Sequence, residues 1–266
     1  MDKIAIISDV HGNITALNAV LEDIEKRGIS KIFCLGDLVG KCANPDLVID
    51  KIKEKCEVVI KGNIDDIFSN PNNKYKRFWT TEKIGEERAK YLYELPIYYE
   101  FYMSGQIIRL FHSSPYGLDY IYNPVYKNID NRYKEYEIDN PLMLFENTDF
   151  LENKNEKNIP NIIGYGHLHT SFVFKVGNKT IFNPGSVGVP VEMFNKDKKD
   201  IENKFTTMAS YIILEGSLNS QELSEISFNI CRIPYNIDKE IEYLAKTDMY
   251  NKEKIMESLK TGISNV

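Results

Sequence analysis

Histidine is scarce in this chain, with four in 266 residues. Cysteine is as sparse, and Cys34, Cys42, Cys56 and Cys231 form no Cys-x-x-Cys pair. That argues against a thiolate zinc site and leaves small buried hydrophobes as the reading of most of the four. A basic excess is missing too, the formal net charge being -6. Without a basic face, neither a stable nucleic-acid partner nor an anionic membrane surface is expected. A nucleotide-sized anion stays open, because a metal ion can supply positive charge locally. No apolar run is long enough to span a bilayer, and the one behind Met1-Asp2-Lys3 is too short for a signal peptide. A cytoplasmic protein is expected. There is no internal repeat and no low-complexity linker. The hydrophobic fraction of 42% and charged fraction of 27% are those of an ordinary globular protein with a sizeable core.

What is present begins with alternation. Lys3 to Ser8 reads as a buried strand, and Asn13 can cap a helix whose Ile14, Leu17, Val20, Leu21 and Ile24 recur at helical spacing before Gly28 ends it. Lys31 to Leu35 is a second strand, Pro45 opens a second helix, and Glu57 to Ile60 is a third strand. Strand and helix have then alternated twice, which predicts a parallel α/β start. Residues 65–81 are polar and turn-rich, and a helix is expected from Glu82 to about Leu95, stopped by Pro96. Hairpin signals at Ser104-Gly105 and Gly177-Asn178 predict an antiparallel second half. Residues 116–158 form a Tyr- and Asn-rich insertion with partial helix around Leu142 to Leu151. Met208 to Leu214 and Glu225 to Ile230 read as strands. Residues 1–232 are taken as one domain carrying that insertion, and 233–266 as a helical tail packed on it.

The four histidines are not scattered. His11 follows the first strand, His112 follows Ile107 to Phe111, and His167 and His169 stand in Gly166-His167-Leu168-His169 behind Asn161-Ile162-Ile163. If that last stretch is extended, both of its imidazoles face one side. Asp9, Asp37 and Asn63 stand beyond the three early strands. Sites in open α/β sheets are built beyond the carboxyl ends of strands. Taken singly, each residue has an ordinary explanation: a helix cap, a turn between glycines, a satisfied imidazole. Together they would all have to fall at strand ends by chance. Two carboxylates, four imidazoles and one amide oxygen, with no thiolate, suit Mn²⁺, Fe, Zn²⁺ or Ni²⁺. Seven ligands exceed one tetrahedral ion and suit two ions sharing a carboxylate.

In order and separation, Asp9-Val10-His11-Gly12-Asn13, Gly36-Asp37, Gly62-Asn63, His112 and Gly166-His167-Leu168-His169 resemble the signature of the calcineurin-like metallophosphoesterases. Trp79-Thr80, His112-Ser113-Ser114-Pro115 and Asn183-Pro184-Gly185-Ser186 look like the small bacterial phosphoesterases of that superfamily. The resemblance runs from about residue 4 to residue 190. It implies a four-layer αββα sandwich of two mixed sheets with two divalent ions at its edge, Mn²⁺ foremost and Mg²⁺ among the alternatives. Asp9, His11, Asp37 and His169 would hold one ion; Asp37, Asn63, His112 and His167 would hold the other, with Asp37 bridging. Asp37, Asn63 and His112 are the expected catalytic residues. Two ions about 3.5–4 Å apart can lower the pKa of a shared water to about 7, so that hydroxide attacks phosphorus in line. Gly12 and Asn13 are expected to offer backbone N–H groups to the phosphate at a helix N-terminus, with Asn63 adding its amide.

The expected activity is hydrolysis of a phosphodiester or activated phosphate ester of a small substrate, with Tyr116, Tyr120 and Tyr122 as stacking surfaces for a base. Dinucleoside polyphosphate hydrolysis is the alternative within enzymes. Protein phosphatase activity is disfavoured, because Lys41 stands where Asp-Arg-Gly would continue the Gly-Asp motif. Ile64 stands where many members have histidine, which keeps open a binding scaffold on the same fold.

Overall fold

The computed structural model describes residues 1–72, 78–124, 131–151, 158–190 and 207–263. Its first strand, β1 (Asp2–Ile7), shows how the core is partitioned. Successive side chains of a strand point to opposite faces. Ile4 and Ile6 therefore enter one apolar cluster, with Phe33, Ile108, Leu110 and Phe182, while Ala5 and Ile7 enter another, with Leu17, Val20 and Val48. The second cluster lies under the helices and the first lies between two sheets.

The first sheet is completed by β2 (Lys31–Cys34), β3 (Val58–Val59), β9 (Ala209–Gly216) and β10 (Ser227–Ile233), in the order β10-β9-β1-β2-β3. β1, β2 and β3 run parallel, joined by α1 (Ile14–Lys26) and α2 (Pro45–Lys55). The Asn13 side chain accepts from the Ala16 N–H at 2.9 Å and fixes the start of α1. The second sheet holds β4 (Tyr98–Met103), β5 (Gln106–Phe111), β6 (Ile162–Tyr165), β7 (Phe172–Val176) and β8 (Lys179–Asn183), in the order β4-β5-β6-β8-β7. The mixed two-sheet α/β sandwich implied by the resemblance is the fold.

The layer outside the second sheet consists, among the described residues, of 3₁₀ turns at Asn131–Tyr136 and Pro141–Phe145 with their loops. It packs Ile121, Tyr122, Ile138, Leu144 and Phe145 on the outward residues Phe111, Ile163, Tyr165 and Ile181. Arg109 of β5 is fully buried beneath it. Its guanidinium donates to Glu100 Oε1 at 2.6 Å, the Glu146 carbonyl at 2.9 Å and Asn147 Oδ1 at 2.6 Å. A buried guanidinium has to be satisfied, so those contacts tie the layer to the sheet. At the other end of the chain, α5 (Ile237–Ala245) and α6 (Lys252–Thr261) cover Cys42, Ala43 and Val189. Among the described residues, no helix is long and apolar enough to cross a membrane.

Four local expectations need correction. The second half is mixed, since β5, β6 and β8 run parallel while β4–β5, β7–β8 and β9–β10 pair antiparallel. The polar stretch from 65 contains α3 (Asn63–Ser69), because the Asp65 carboxylate accepts from the Gly62 N–H at 3.0 Å and stabilises the first turn. The helix expected from Glu82 starts earlier, as α4 (Trp79–Tyr93), and breaks at Gly85 with φ 72° and ψ 173°. The partial helix near Leu142 is a single 3₁₀ stretch. Residues 73–77, 125–130 and 152–157 of the turn-rich stretch and the insertion lie outside the described residues.

Candidate metal centre

All seven sequence-predicted ligands come together at one edge of the two sheets. Asp9 and His11 follow β1, Asp37 follows β2, Asn63 opens α3 beyond β3, His112 follows β5, and His167 and His169 follow β6. The backbone there is unlike the strands that deliver it. Asp9, His11, Asp37, His167 and His169 all have positive φ, between 51° and 64°. For residues with a side chain this left-handed conformation is uncommon, and strain of this kind clusters at functional sites. It also corrects the extended reading of Gly166 to His169: the chain coils, and the two imidazoles enter neighbouring groups. One group is Asp9, His11 and His169, and the other is Asp37, His112 and His167, with ligand atoms in each lying within 4.8 Å of one another.

Asp37 stands between them. Its Oδ2 is 3.6 Å from His11 Nε2 and its Oδ1 is 3.4 Å from His112 Nε2. His169 Nε2 lies 3.3 Å from Asp9 Oδ1 and 3.1 Å from His11 Nε2. Asn63 Oδ1 is 3.1 Å from His112 Nε2. Close approach of backbone makes this geometry available: a Cβ at Gly62 would run into the Asp37 carboxylate, and one at Gly166 into Ser8 and Asp9.

The donors fit divalent ions. His11, His112 and His169 each turn Nδ1 toward a main-chain carbonyl, of Val39 at 3.0 Å, Leu35 at 2.7 Å and Val189 at 2.7 Å. A neutral imidazole that donates Nδ1–H keeps its lone pair on Nε2, the arrangement found around bound metals. Here those Nε2 atoms converge on each other and on carboxylates. Asp9 Oδ1 is buried without a hydrogen-bond donor. Such a convergence of lone pairs is satisfied by cations.

Protons take part of that role in the chain alone. Burial by itself would raise Asp37, but His112 and His11 beside it outweigh burial and hold it at about 2. Burial would also raise Asp9, yet His169, His112 and His11 keep it far below the usual carboxylate range. His112 is pushed up to about 10, since the Asp37 carboxylate overcomes the burial that opposes its charge. His11 and His167 are depressed to about 3, mainly by burial.

Two expected substrate donors are elsewhere engaged. The Gly12 N–H donates to the Leu38 carbonyl at 2.8 Å and the Asn13 N–H to the Val10 carbonyl at 3.0 Å. The Asn13 side chain caps α1 and donates to the Gly188 carbonyl at 2.8 Å. The β1–α1 turn is thus closed by its own hydrogen bonds. Of the three tyrosines, Tyr122 is buried in the outer layer and Tyr116 donates to Glu146; only Tyr120 is exposed, against the Tyr136 ring at 5.6 Å.

Three further residues join the site. Asp65 accepts from the Leu38 N–H at 2.8 Å as well as from Gly62, joining the Asp37 and Asn63 loops. Its place three residues after Gly62 is a capping signal that was readable. Burial and the Asp37 charge raise it to about 7. Lys41 lies close enough for its charge to depress His11, after burial the largest cause. Asp119, in the loop beyond β5, accepts from Asn63 Nδ2 at 3.0 Å. No spacing or periodicity marks Asp119 in the sequence.

Fold and site together define an α/β two-sheet protein with two histidine–carboxylate groups that could hold metal ions. The calcineurin-like phosphoesterase superfamily domain matches residues 2–201. The chain belongs to that superfamily. An uncharacterized protein of Methanocaldococcus jannaschii is 32% identical over 270 residues, covering 91% of this chain and 92% of that one. A crystal structure of a metallophosphoesterase from Sphaerobacter thermophilus shares the fold at TM-score 0.64 and 23% identity, covering 98% of this chain and 99% of the other. A hypothetical protein from Pyrococcus horikoshii OT3 does so at TM-score 0.67 and 19% identity, with the same coverage.

Proposed function

We propose that this chain is a binuclear-metal phosphoric ester hydrolase acting on a phosphodiester or activated phosphate ester of a small, nucleotide-sized substrate. The observation that carries the reading is Asp37, whose two oxygens face two separate histidine groups, 3.6 Å from one and 3.4 Å from the other. Asp9, His11, His169 and Asp37 would hold one ion, and Asp37, Asn63, His112 and His167 the other. Mn²⁺ is foremost for such an oxygen–nitrogen set, with Fe, Zn²⁺, Ni²⁺ or Mg²⁺ as alternatives. When bound, such a pair supplies Lewis acidity to phosphoryl oxygens and activates water as a nucleophile.

The chain's own residues do the rest. Asp9 and Asp37 are ionised at neutral pH and carry the charge that attracts cations. The main-chain carbonyls of Val39, Leu35 and Val189 fix which imidazole nitrogen faces the site. Asn63 gives one amide hydrogen to Asp119. Its second remains for a phosphoryl oxygen. Ile64 supplies no proton to a leaving group, so esters with weakly basic leaving groups are the preferred class. Lys41 places a positive charge near His11, which offsets part of the extra negative charge of a monoester.

The test is a panel of aryl diesters, aryl monoesters, cyclic nucleotides and dinucleotides offered to Mn²⁺-loaded protein. Chelator-sensitive hydrolysis, fastest on aryl diesters, is expected. Protein that binds two ions and cleaves none of the panel would return the scaffold reading to first place.

A further inference from the structure

Asn63 is the one proposed ligand whose useful end is not fixed by its own chemistry. An amide carries oxygen and NH₂ on nearly identical shapes, and only the oxygen can ligate. A His112 that ligates is neutral and carries a lone pair on Nε2, so it has no proton there with which to hold the amide oxygen. Something has to hold the oxygen inward. Asp119 Oδ1 is 3.0 Å from Asn63 Nδ2 on the side away from His112, whose Nε2 is 3.1 Å from Asn63 Oδ1. A carboxylate only accepts hydrogen bonds, so it can engage the NH₂ end and never the oxygen.

We propose that Asp119 is a positioning residue that locks the Asn63 amide with its oxygen toward the second ion. This rests on the metal reading above and deepens it. The loop is held at the next residue: Ser113, beside His112, donates to the Tyr120 carbonyl, and the Tyr120 ring packs on Tyr116 at 6.3 Å and Tyr136 at 5.6 Å. The outer layer thereby reaches the Asn63 ligand through the Asp119 hydrogen bond. It gives residues 116–122 a role in the site that does not require them to touch substrate.

Partners behind a metal ligand are typically worth about 10–100-fold in affinity. Chelator-stripped wild type, Asp119→Ala and Asp119→Asn are titrated with Mn²⁺ by calorimetry, and their thermal midpoints are compared without metal. In Asp119→Ala one ion is expected to bind about 10–100-fold more weakly while the other, and the metal-free midpoint, stay as in wild type. Asp119→Asn, which keeps an acceptor oxygen, falls between. Two wild-type binding steps in Asp119→Ala overturn the inference alone. So does a variant that binds both ions normally yet loses rate on alkyl diesters only, since Asp119 would then be giving a proton. A wild type that takes up no second ion overturns the metal reading, and this inference with it.

Discussion

The two halves of the metal centre are held differently. In the first, Asp9, His11 and His169 are all buried, and both imidazoles are fixed by main-chain carbonyls, Val39 for His11 and Val189 for His169. The His167 N–H donates to Asp9 Oδ2 at 3.0 Å, and Ser186 donates to the Asp9 carbonyl at 2.7 Å. In the second, His112 is as tightly set by Leu35, but Asn63 and His167 are only half buried, and Asn63 leans on a loop of the outer layer. One half is built from the cores of the sheets and the other is finished at the surface. Preorganised ligands lose less freedom on binding. The first half should therefore bind its ion more tightly, and the second should be where ion exchange and substrate entry occur.

Asp37 tests whether there are two halves at all. Asp37→Asn removes the charge both groups share; activity should fall by at least about 10²–10³-fold, on the scale of losing a main electrostatic contact, with at most one ion retained. Metal analysis and diester kinetics on the purified variant check it, and two ions at near-normal turnover would remove Asp37 from the bridging position. Ile64 tests the chemistry between the halves. Its side chain packs on the cluster under α1 and beside Gly40, where an added Cβ would stand 2.6 Å from Ile64 Cγ2 and 3.7 Å from His11 Nδ1. General acid help is typically worth about 10²–10⁴-fold, and isoleucine offers none. Rates on a series of aryl and alkyl diesters should fall steeply with leaving-group pKa, and the slope should flatten in Ile64→His. A shallow slope in wild type would place an acid elsewhere in the site.

The asymmetry itself is read by His169→Ala against His167→Ala. Each should weaken a different ion, and His169→Ala, from the closed half, should lose the tighter one. Identical deficits in Mn²⁺ titrations would mean that the ligands form a single site.

The sequence announced the ligands of both halves. They follow strands whose apolar runs are plain, and the rarity of histidine made the pattern stand out. The parallel start was readable for the same reason: Ile4 to Ile7 and Lys31 to Leu35 are unbroken and flank an amphipathic helix. What stayed hidden depends on contacts made across the fold. The positive φ values at five site residues arise where loops from both sheets meet, and nothing at Asp9 or His167 foretells them. The closure of the β1–α1 turn engages the Gly12 and Asn13 N–H groups with the Leu38 and Val10 carbonyls, which only the register between adjacent loops could reveal. β5 and β6 became parallel neighbours because the chain between them crosses over the outer face of the sheet. The hairpin signals at either end spoke only for their own strands.

The smallest expected effect is in the stability of the metal-free protein, and its sign follows from the proton balance. His11 and His167 are depressed from 6.5 to about 3, so between those values the unfolded chain binds protons that the fold refuses. Stability rises with pH across that window and is lost as pH falls through it. His112 is raised from 6.5 to about 10, so the fold holds a proton that the unfolded chain gives up. That contribution is complete below about pH 6.5 and is lost as pH climbs toward 10. Asp37, depressed from 3.8 to about 2, adds its contribution above 3.8 and loses it as pH falls toward 2. Asp65, raised from 3.8 to about 7, works against the acid-side rise, but the two histidines outweigh it. The metal-free protein should thus be most stable near pH 6.5, with its thermal midpoint falling on either side. Mn²⁺ should abolish the alkaline fall, because a ligating His112 is already neutral and has no proton to lose. Thermal midpoints from pH 4 to pH 10, with chelator and with Mn²⁺, decide it. An alkaline fall that persists unchanged in Mn²⁺ would mean that His112 keeps its proton and does not ligate, which would leave the second half of the centre without its best-anchored imidazole.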